Sequence, residues 1–554
     1  PAAQPLLLGY MSNILIADTL AQDGIDALTA HHDVEVRTGL SEDELVEAVA
    51  TVSALIVRSQ TRVTARVIEA APKLEVIGRA GVGVDNIDLD AATDRGVIVV
   101  NAPLANTVSA AEHAFGLMLA VARNIPQATA SLRAGEWERS RYQGVELAGR
   151  TLGIVGLGRV GSEVATRAQA FAMRVIAYDP FVSTERASGL GIELVKLDAL
   201  LADSDFVTLH TTLYEETRGL INAGQLKRMK PGARIINTAR GELVEEQALY
   251  EAVEAGTVAG AAVDVFSEEP AVGNILTTSD RIVATPHLAA STAEAQARAA
   301  TAVADQVLDV LAGRPARFAV NAPLVDAETM GVIGPYIDAA EIAASIACQL
   351  TPGAIESARI EYAGEIANYE VSPLRAAVVV GMLARISEEK LTIVNAERFA
   401  EQHGIRIDER SGRARDPYAN LIVVHVFGPG GETKVAATHT PQGVQVVAID
   451  EYEGVDIEPS AAPYALVIEN LDRPGMIGRV GTALGGWGVN ITYMSVAAPG
   501  SGGHALMVIG LNRALTGDEL SEIKDSGDIF NAQLVDLGGS HPKGSQLEDG
   551  TDGD

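Results

Sequence analysis

Three residues in the middle of the chain have the types that moving a proton and stabilising charge at a carbon centre require. Each lies just beyond a short apolar run. Arg240 follows the run over 234–237, His287 follows the run over 281–284, and Glu269 stands in the segment 266–270 beyond the run over 260–265. Histidine is the side chain best able to take or give a proton near neutral pH. A carboxylate beside it orients the ring and stabilises its protonated form. An arginine can clamp a carboxylate and polarise a carbonyl as it develops. Together they suit the oxidation of a secondary alcohol, in which a base removes the hydroxyl proton as hydride leaves the carbon. A lone histidine is more often structural, but of the ten histidines only His287 has this company.

Hydride needs an acceptor, and a second pattern supplies a place for one. The apolar run over 151–155 leads into Gly156-Leu157-Gly158-Arg159-Val160-Gly161, then a helical pattern over 162–171, then an apolar run over 174–178 ending at Asp179. Gly156 permits the tight turn, Gly158 lets backbone approach a pyrophosphate, and Gly161 lets the helix pack on the sheet. The open N–H groups of the helix start face the phosphates. Asp179 falls close to the spacing of an acid on the adenosine ribose, where its charge repels a 2′-phosphate and so favours NAD over NADP. A glycine-rich turn alone is a weak signal; strand, helix and acid in register make it a dinucleotide site.

These residues must be carried by alternating strands and helices. Strands are expected near 14–17, 54–57, 76–77 and 97–100, with helices over 22–30, 41–50 and 65–70, and the alternation resumes with strands at 206–209, 234–237, 260–265 and 281–284. This order implies parallel, doubly wound sheets whose ligands lie at the carboxyl ends of the strands. Two polar features stand at such ends in the first block. Arg58-Ser59 could fork onto a phosphate or carboxylate, or be an ordinary surface pair. Arg79-Ala80-Gly81-Val82-Gly83-Val84-Asp85-Asn86 could form a backbone nest for a carboxylate, or be a flexible turn. Between the blocks a long helix is expected over 109–122, then a helical stretch over 131–141. Its Trp137 could anchor a subunit contact or cap the local core.

With 554 residues the chain needs three or four domains. A net charge of −31, from 42 basic and 73 acidic residues, speaks against nucleic-acid binding. An anionic substrate would need a local concentration of positive charge against that field. The single cysteine, Cys348, excludes an intrachain disulfide framework and suits a cytoplasmic protein. The longest apolar runs, such as 376–383, are too short to span a bilayer. Residues 1–10 lack the pattern of a signal peptide, and Met11 is the expected natural start.

Three runs, Ile235-Ile236-Asn237-Thr238-Ala239-Arg240-Gly241, Asp264-Val265-Phe266-Ser267-Glu268-Glu269-Pro270 and Thr285-Pro286-His287-Leu288-Ala289-Ala290-Ser291-Thr292, resemble the signatures of the D-2-hydroxyacid dehydrogenase family over roughly residues 12–320. The resemblance implies that His287, Glu269 and Arg240 are catalytic and that NAD is the cofactor. It implies cofactor contacts from Gly156, Gly158, Arg159, Val160, Gly161, Asp179, Thr211, Thr238, Ala239, Arg240, Asp264, His287, Ala289 and Ala290. Substrate contacts fall to Arg58, Ser59, Arg79, Gly81, Val82 and Gly83, and no metal is expected. Thr212 and Ala289 depart from the proline and glycine common in the family.

The chain continues well past the point where a simple member ends. Residues 326–459 read as one apolar helix with alternating strands. From 464 to 537 the order is strand, helix, strand, strand, helix, strand, the ferredoxin-like motif. Arg473-Pro474-Gly475 entering its first helix and Gly488-Val489-Asn490 leaving it make this piece resemble an ACT domain, a small-molecule regulatory module. The whole chain therefore resembles the long type of its family, which oxidises 3-phospho-D-glycerate. That implies a homotetramer with L-serine as effector, held between two copies by Asn470 and Asp472 on one segment and Asn490 on the other. The expected architecture is α/β: two doubly wound Rossmann-like domains, for substrate (12–105 and 290–325) and NAD (106–289). An α+β intervening domain (326–461), a ferredoxin-like ACT domain (462–540) and a disordered acidic tail (541–554) follow. A glyoxylate or hydroxypyruvate reductase and a dinucleotide-sensing corepressor share the front half and are the rival readings.

Overall fold

The computed structural model describes residues 12–538 except 315, 324, 326, 385, 386, 388–390 and 499–502. Met11, the acidic tail and nearly all of the turn expected at 499–503 lie outside the described residues. The first sheet holds β1 (Asn13–Ile16), β2 (Asp33–Val36), β3 (Ala54–Val57), β4 (Val76–Arg79) and β5 (Ile98–Asn101) in the order β2-β1-β3-β4-β5, all parallel. Its central strand β3 is buried along its whole length, as expected of a strand covered on both faces. The sequence reading missed β2. Its Asp-Val-Glu-Val pattern lies largely exposed at the sheet edge, where it pairs only with β1 and needs no apolar run.

The second sheet holds β6 (Thr151–Val155), β7 (Arg174–Tyr178), β8 (Glu193–Leu194), β9 (Phe206–Leu209), β10 (Arg234–Asn237), β11 (Gly260–Val263) and β12 (Ile282–Ala284). The order is β12-β11-β10-β9-β6-β7-β8, again parallel, and the direction of winding reverses between β6 and β9. Two helices join the sheets. Thr107–Arg123 runs from the first into the second, and Ala293–Leu311 returns. The returning helix buries Ala299, Ala300, Val303, Ala304 and Val307 against Ile14, Ile56 and Val76 of the first sheet. A Cβ on Gly78 of β4 would sit 2.6 Å from Val303, so glycine there sets how closely helix and strand approach. Where the crossing helices begin, Ser109 Oγ and Thr292 Oγ1 lie 2.8 Å apart in a hydrogen bond.

The helix expected over 131–141 is shifted. It spans Ile125–Arg133, with Pro126 in its first turn, and stops where Gly135 takes a φ of +88°. Trp137 then stands 78% exposed before a short 3-10 turn, Arg139–Tyr142; it does not cap a core within this chain.

The third sheet runs β14 (Arg406–Gly412), β13 (Ser357–Gly364), β15 (Asn420–Gly428), β16 (Gly431–Thr440), β17 (Gly443–Ile449), β18 (Tyr452–Ile457), antiparallel except for β13–β14. Helices Ile337–Leu350 and Ser372–Leu383 share its core and touch at backbone level, because a Cβ on Gly381 would overlap the Glu341 carbonyl oxygen. The stretch Glu328–Leu350 has the length and apolarity of a bilayer span. A 3-10 turn at Gly334–Tyr336 interrupts it, and Ala339, Ala340, Ala343, Ala344 and Ala347 bury its second half on this sheet. The fourth sheet orders β20 (Ile491–Ala497), β21 (His504–Leu511), β19 (Tyr464–Leu471), β22 (Ile529–Asp536), all antiparallel. Helices Met476–Gly486 and Gly517–Lys524 pack on one face, completing the βαββαβ order.

Candidate active site

The adjacency of β10, β11 and β12 at one edge of the second sheet decides the geometry. Arg240 leaves the end of β10, Glu269 the loop beyond β11, and His287 the end of β12, so three residues spread over 48 positions share one rim. His287 Nδ1 lies 2.8 Å from Glu269 Oε2. Its backbone is left-handed, with φ +53°, and its N–H donates to the Asp264 carbonyl at 2.8 Å. A non-glycine residue in that region is held there by its surroundings. Burial works to raise the Glu269 carboxyl. The His287 hydrogen bond and charge, with the Phe266 N–H donating to Oε1 at 3.1 Å, outweigh it and hold the group below the usual carboxylate range. Glu269 is thus ionised wherever His287 must accept a proton, and His287 keeps Nε2 for a substrate.

Across the cleft, the first sheet contributes cations. Arg58 begins just after β3, and its N–H donates to Asp18 Oδ2 at 2.6 Å. Arg79 ends β4, and its Nε is buried without a partner among the described residues. Burial and the neighbouring Arg240 and Arg58 charges push Arg79 down to about 10, which leaves it charged at neutral pH. Neither Gly81 nor Gly83, in the loop beyond it, has a positive φ. They serve by lacking a side chain. A Cβ on Gly81 would overlap Arg79 Nη1, and one on Gly83 would overlap Arg240 Nη2. Gly83 therefore admits an arginine of the second sheet onto a loop of the first, where Arg240 Nη2 pairs with Asp85 at 3.3 Å. The Val82 carbonyl accepts from Asn101 Nδ2 at 2.6 Å, fixing the loop between, and Ser59 is exposed beside Arg58.

The residues of the glycine turn fit a dinucleotide. Gly156 has φ +95°, and a Cβ there would meet the His210 carbonyl at 2.6 Å. A Cβ on Gly161 would overlap the Gly156 carbonyl oxygen, whereas the space at Gly158 is open. Asp179 accepts from the N–H groups of Leu157 and Phe181, each at 2.8 Å, so its carboxylate is pinned to the turn. Arg159 and Val160 begin the helix, and Thr211 lies just past the end of β9 beside Gly156. Thr238 Oγ1 is buried without a partner. Ala239 N–H donates to Asn237 Oδ1 at 3.1 Å.

Comparison with known proteins decides the family. Residues 115–289 match the NAD binding domain of the D-isomer specific 2-hydroxyacid dehydrogenases, and 332–450 match the D-3-phosphoglycerate dehydrogenase intervening domain. The D-3-phosphoglycerate dehydrogenases of Methanocaldococcus jannaschii and Archaeoglobus fulgidus are each 42% identical over 528 residues, covering 95% of this chain and 100% of each relative. The chain belongs to the D-3-phosphoglycerate dehydrogenase family. In structure, the TT0316 protein of Thermus thermophilus is similar with a TM-score of 0.52 and 37% identity, over 56% of this chain and 99% of that one. The chain is therefore an NAD-dependent oxidoreductase of the D-2-hydroxyacid type.

Within this family frame, further residues shape the site, some of them named from sequence. Asp18, at the end of β1, is buried and also accepts from Thr61 Oγ1 at 2.8 Å. Asn86 Nδ2 donates to the carbonyls of Arg58 and Thr61. Asp18 follows a strand end, so the rule that found Arg58 could have found it, and Asn86 closes the glycine run noted in the sequence. Asp264 is wholly buried, and its carboxylate accepts from Thr285 Oγ1 and the N–H groups of Leu288 and Ala289. Its place is beneath the loop that carries His287, with Ala289 buried and Ala290 half-buried above it. His113, which no sequence signal singled out, joins it.

The three effector candidates are not brought together in one chain. Asn470 is buried in β19, its Oδ1 without a partner, while Asp472 and Asn490 are exposed. β21 pairs His504 with Leu471 at one end and Leu511 with Ile491 at the other. Asn490 is thus separated from Asn470 and Asp472 by the length of a strand.

Proposed function

We infer that this chain oxidises 3-phospho-D-glycerate to 3-phosphohydroxypyruvate with NAD, the entry to serine synthesis. The observation that carries the reading is the convergence of Arg58, Arg79 and Arg240 opposite the His287–Glu269 pair, in a protein whose net charge is −31. A substrate with a carboxylate at one end and a phosphate at the other needs such a cluster; an uncharged alcohol does not. Bound NAD supplies the hydride acceptor. His287 Nε2 takes the hydroxyl proton, and Glu269 stabilises the imidazolium that results. Arg240 holds the substrate carboxylate and the carbonyl that develops beside it, while Arg58 and Arg79 hold the phosphate. Asp179, Thr211, Thr238 and the glycine turn hold the dinucleotide.

We assign the substrate domain to 12–105 and 290–325, the NAD domain to 106–289, the intervening domain to 326–461 and an ACT domain to 462–540. The reading includes a cytoplasmic homotetramer inhibited by L-serine. Supporting the assembly, Trp137, Leu132 and Ile125 leave a large apolar surface uncovered on the segment between the sheets. Supporting the effector, Asp472 suits an ammonium and the two asparagines suit a hydroxyl and a carboxylate. Because one chain cannot bring them together, that site requires the ACT domain of a second copy.

The test is an assay of NADH formation from 3-phospho-D-glycerate beside NADH consumption with hydroxypyruvate. The reading expects the phosphorylated substrate to be strongly preferred. A preference for hydroxypyruvate without phosphate would assign the chain to a reductase role.

A further inference from the structure

The mechanism leaves one histidine unused. His113 lies on the crossing helix Thr107–Arg123, one turn beyond Ser109, which bonds Thr292. Its Nε2 is 3.1 Å from Asp264 Oδ1 and 3.1 Å from Thr285 Oγ1. The Thr285 hydroxyl donates to Asp264 Oδ1 at 2.6 Å, so its Oγ1 accepts from the N–H of His113, whose Nε2 lies within ion-pair distance of the same carboxylate. Leu288 N–H donates to the same Oδ1 at 2.8 Å and Ala289 N–H to Oδ2 at 2.9 Å. A carboxylate with no solvent exposure persists in charged form only when several donors satisfy it. Burial raises Asp264, but His113, Thr285 and Leu288 together hold it ionised, below the usual range.

That carboxylate is the post around which residues 285–289 are wrapped. Thr285, Leu288 and Ala289 bond its side chain, and His287 N–H bonds its carbonyl oxygen at 2.8 Å. The left-handed φ of His287 is what the wrapping imposes, and it turns the ring towards Glu269. We propose that His113 is a positioning residue for the reaction: by donating to Thr285 beside the Asp264 carboxylate it fixes the catalytic loop to the crossing helix, and so fixes the ring of His287. The proposal rests on the reading of His287 as the proton acceptor. It concerns the loop's support alone, since His113 is not assigned any contact with substrate or cofactor.

The test compares His113→Leu and His113→Gln in the full-length protein, with His287→Ala as reference. Leucine removes the donor, whereas glutamine can present an amide N–H in its place. A misplaced reacting group costs up to about 100-fold, so His113→Leu is expected to lower kcat by about 10- to 100-fold. The KM for 3-phospho-D-glycerate should change by less than about threefold, because the arginines that hold it are untouched. His113→Gln should recover most of kcat. Unchanged kcat in His113→Leu, or a loss confined to KM, overturns the proposal. So does a glutamine variant as impaired as the leucine one while both retain wild-type NADH affinity and melting temperature. If His287→Ala is inactive while His113→Leu is normal, the acid/base reading stands and only the positioning role falls. A normal His287→Ala would instead remove the reading on which the role depends.

Discussion

The catalytic cleft and the C-terminal sheet treat sequence distance in opposite ways. In the cleft, Arg58, Arg79, Arg240, Glu269 and His287 span 230 positions and converge. In the C-terminal sheet, Asn470, Asp472 and Asn490 span 21 positions and diverge. The cause is strand direction. Parallel strands deliver all their carboxyl ends to one edge, so residues that follow them collect there. The fourth sheet is antiparallel between neighbours, and β19 and β20 lie parallel with β21 between them. The end of β19 and the start of β20 are therefore at opposite edges, roughly 20–25 Å apart for an eight-residue strand. The first group of residues meets within one chain. The second, if it binds an effector, is built by association.

The largest effect that would test this contrast is at the centre of the cleft. His287→Ala should lower kcat by about two to four orders of magnitude, the cost of losing a general base, with NADH affinity nearly kept when measured by fluorescence titration. Near-normal turnover would mean that convergence at the rim is not catalysis.

Next in size is the cation cluster. Arg58→Ala or Gly81→Ala, the latter forcing a methyl group into Arg79, should raise KM for 3-phospho-D-glycerate by about 10- to 100-fold, in line with losing one charged hydrogen bond. The effect on D-glycerate should be much smaller. Equal losses on both substrates would place the phosphate elsewhere.

Glu269→Gln should act more modestly, lowering kcat by about 10- to 100-fold, because the His287 ring loses the carboxylate that orients it. NADH affinity should be nearly kept. Wild-type turnover in Glu269→Gln would contradict the pairing.

The smallest effect sharpens the other half of the comparison. Asp472→Ala and Asn490→Ala should each abolish L-serine inhibition with uninhibited turnover almost unchanged. Mixed assemblies of the two variants should regain part of it, since one copy's Asp472 meets another's Asn490. No recovery, with serine still bound in calorimetry, would place the effector within a single chain.

Much of this was legible in the sequence because parallel β/α units announce themselves. Apolar runs end in polar residues, and the polar residues at those ends are the site. The glycine turn and the strand-end positions of the trio followed from that rule, while the roles of the trio came with the family resemblance. What escaped it had one of three physical causes. The edge strand β2 is amphipathic enough to be solvated, so no apolar run marked it. The closeness of Gly81 and Gly83 to the Arg79 and Arg240 side chains depends on where those arginines arrive, which only the fold sets. His113 lies inside a helix of small apolar residues, where one histidine has no local pattern. Its meaning comes from Asp264, 151 positions away.

The central claim is that the cleft is built for a substrate charged at both ends. It is tested most directly by the ratio of kcat/KM for 3-phospho-D-glycerate to that for D-glycerate, with NAD saturating. Two arginine contacts to the phosphate, each worth about 1.5–3 kcal/mol, predict a ratio of about 10²–10⁴ in the wild type, falling at least tenfold in Arg58→Ala. A ratio near one, unaltered by Arg58→Ala, would contradict the account.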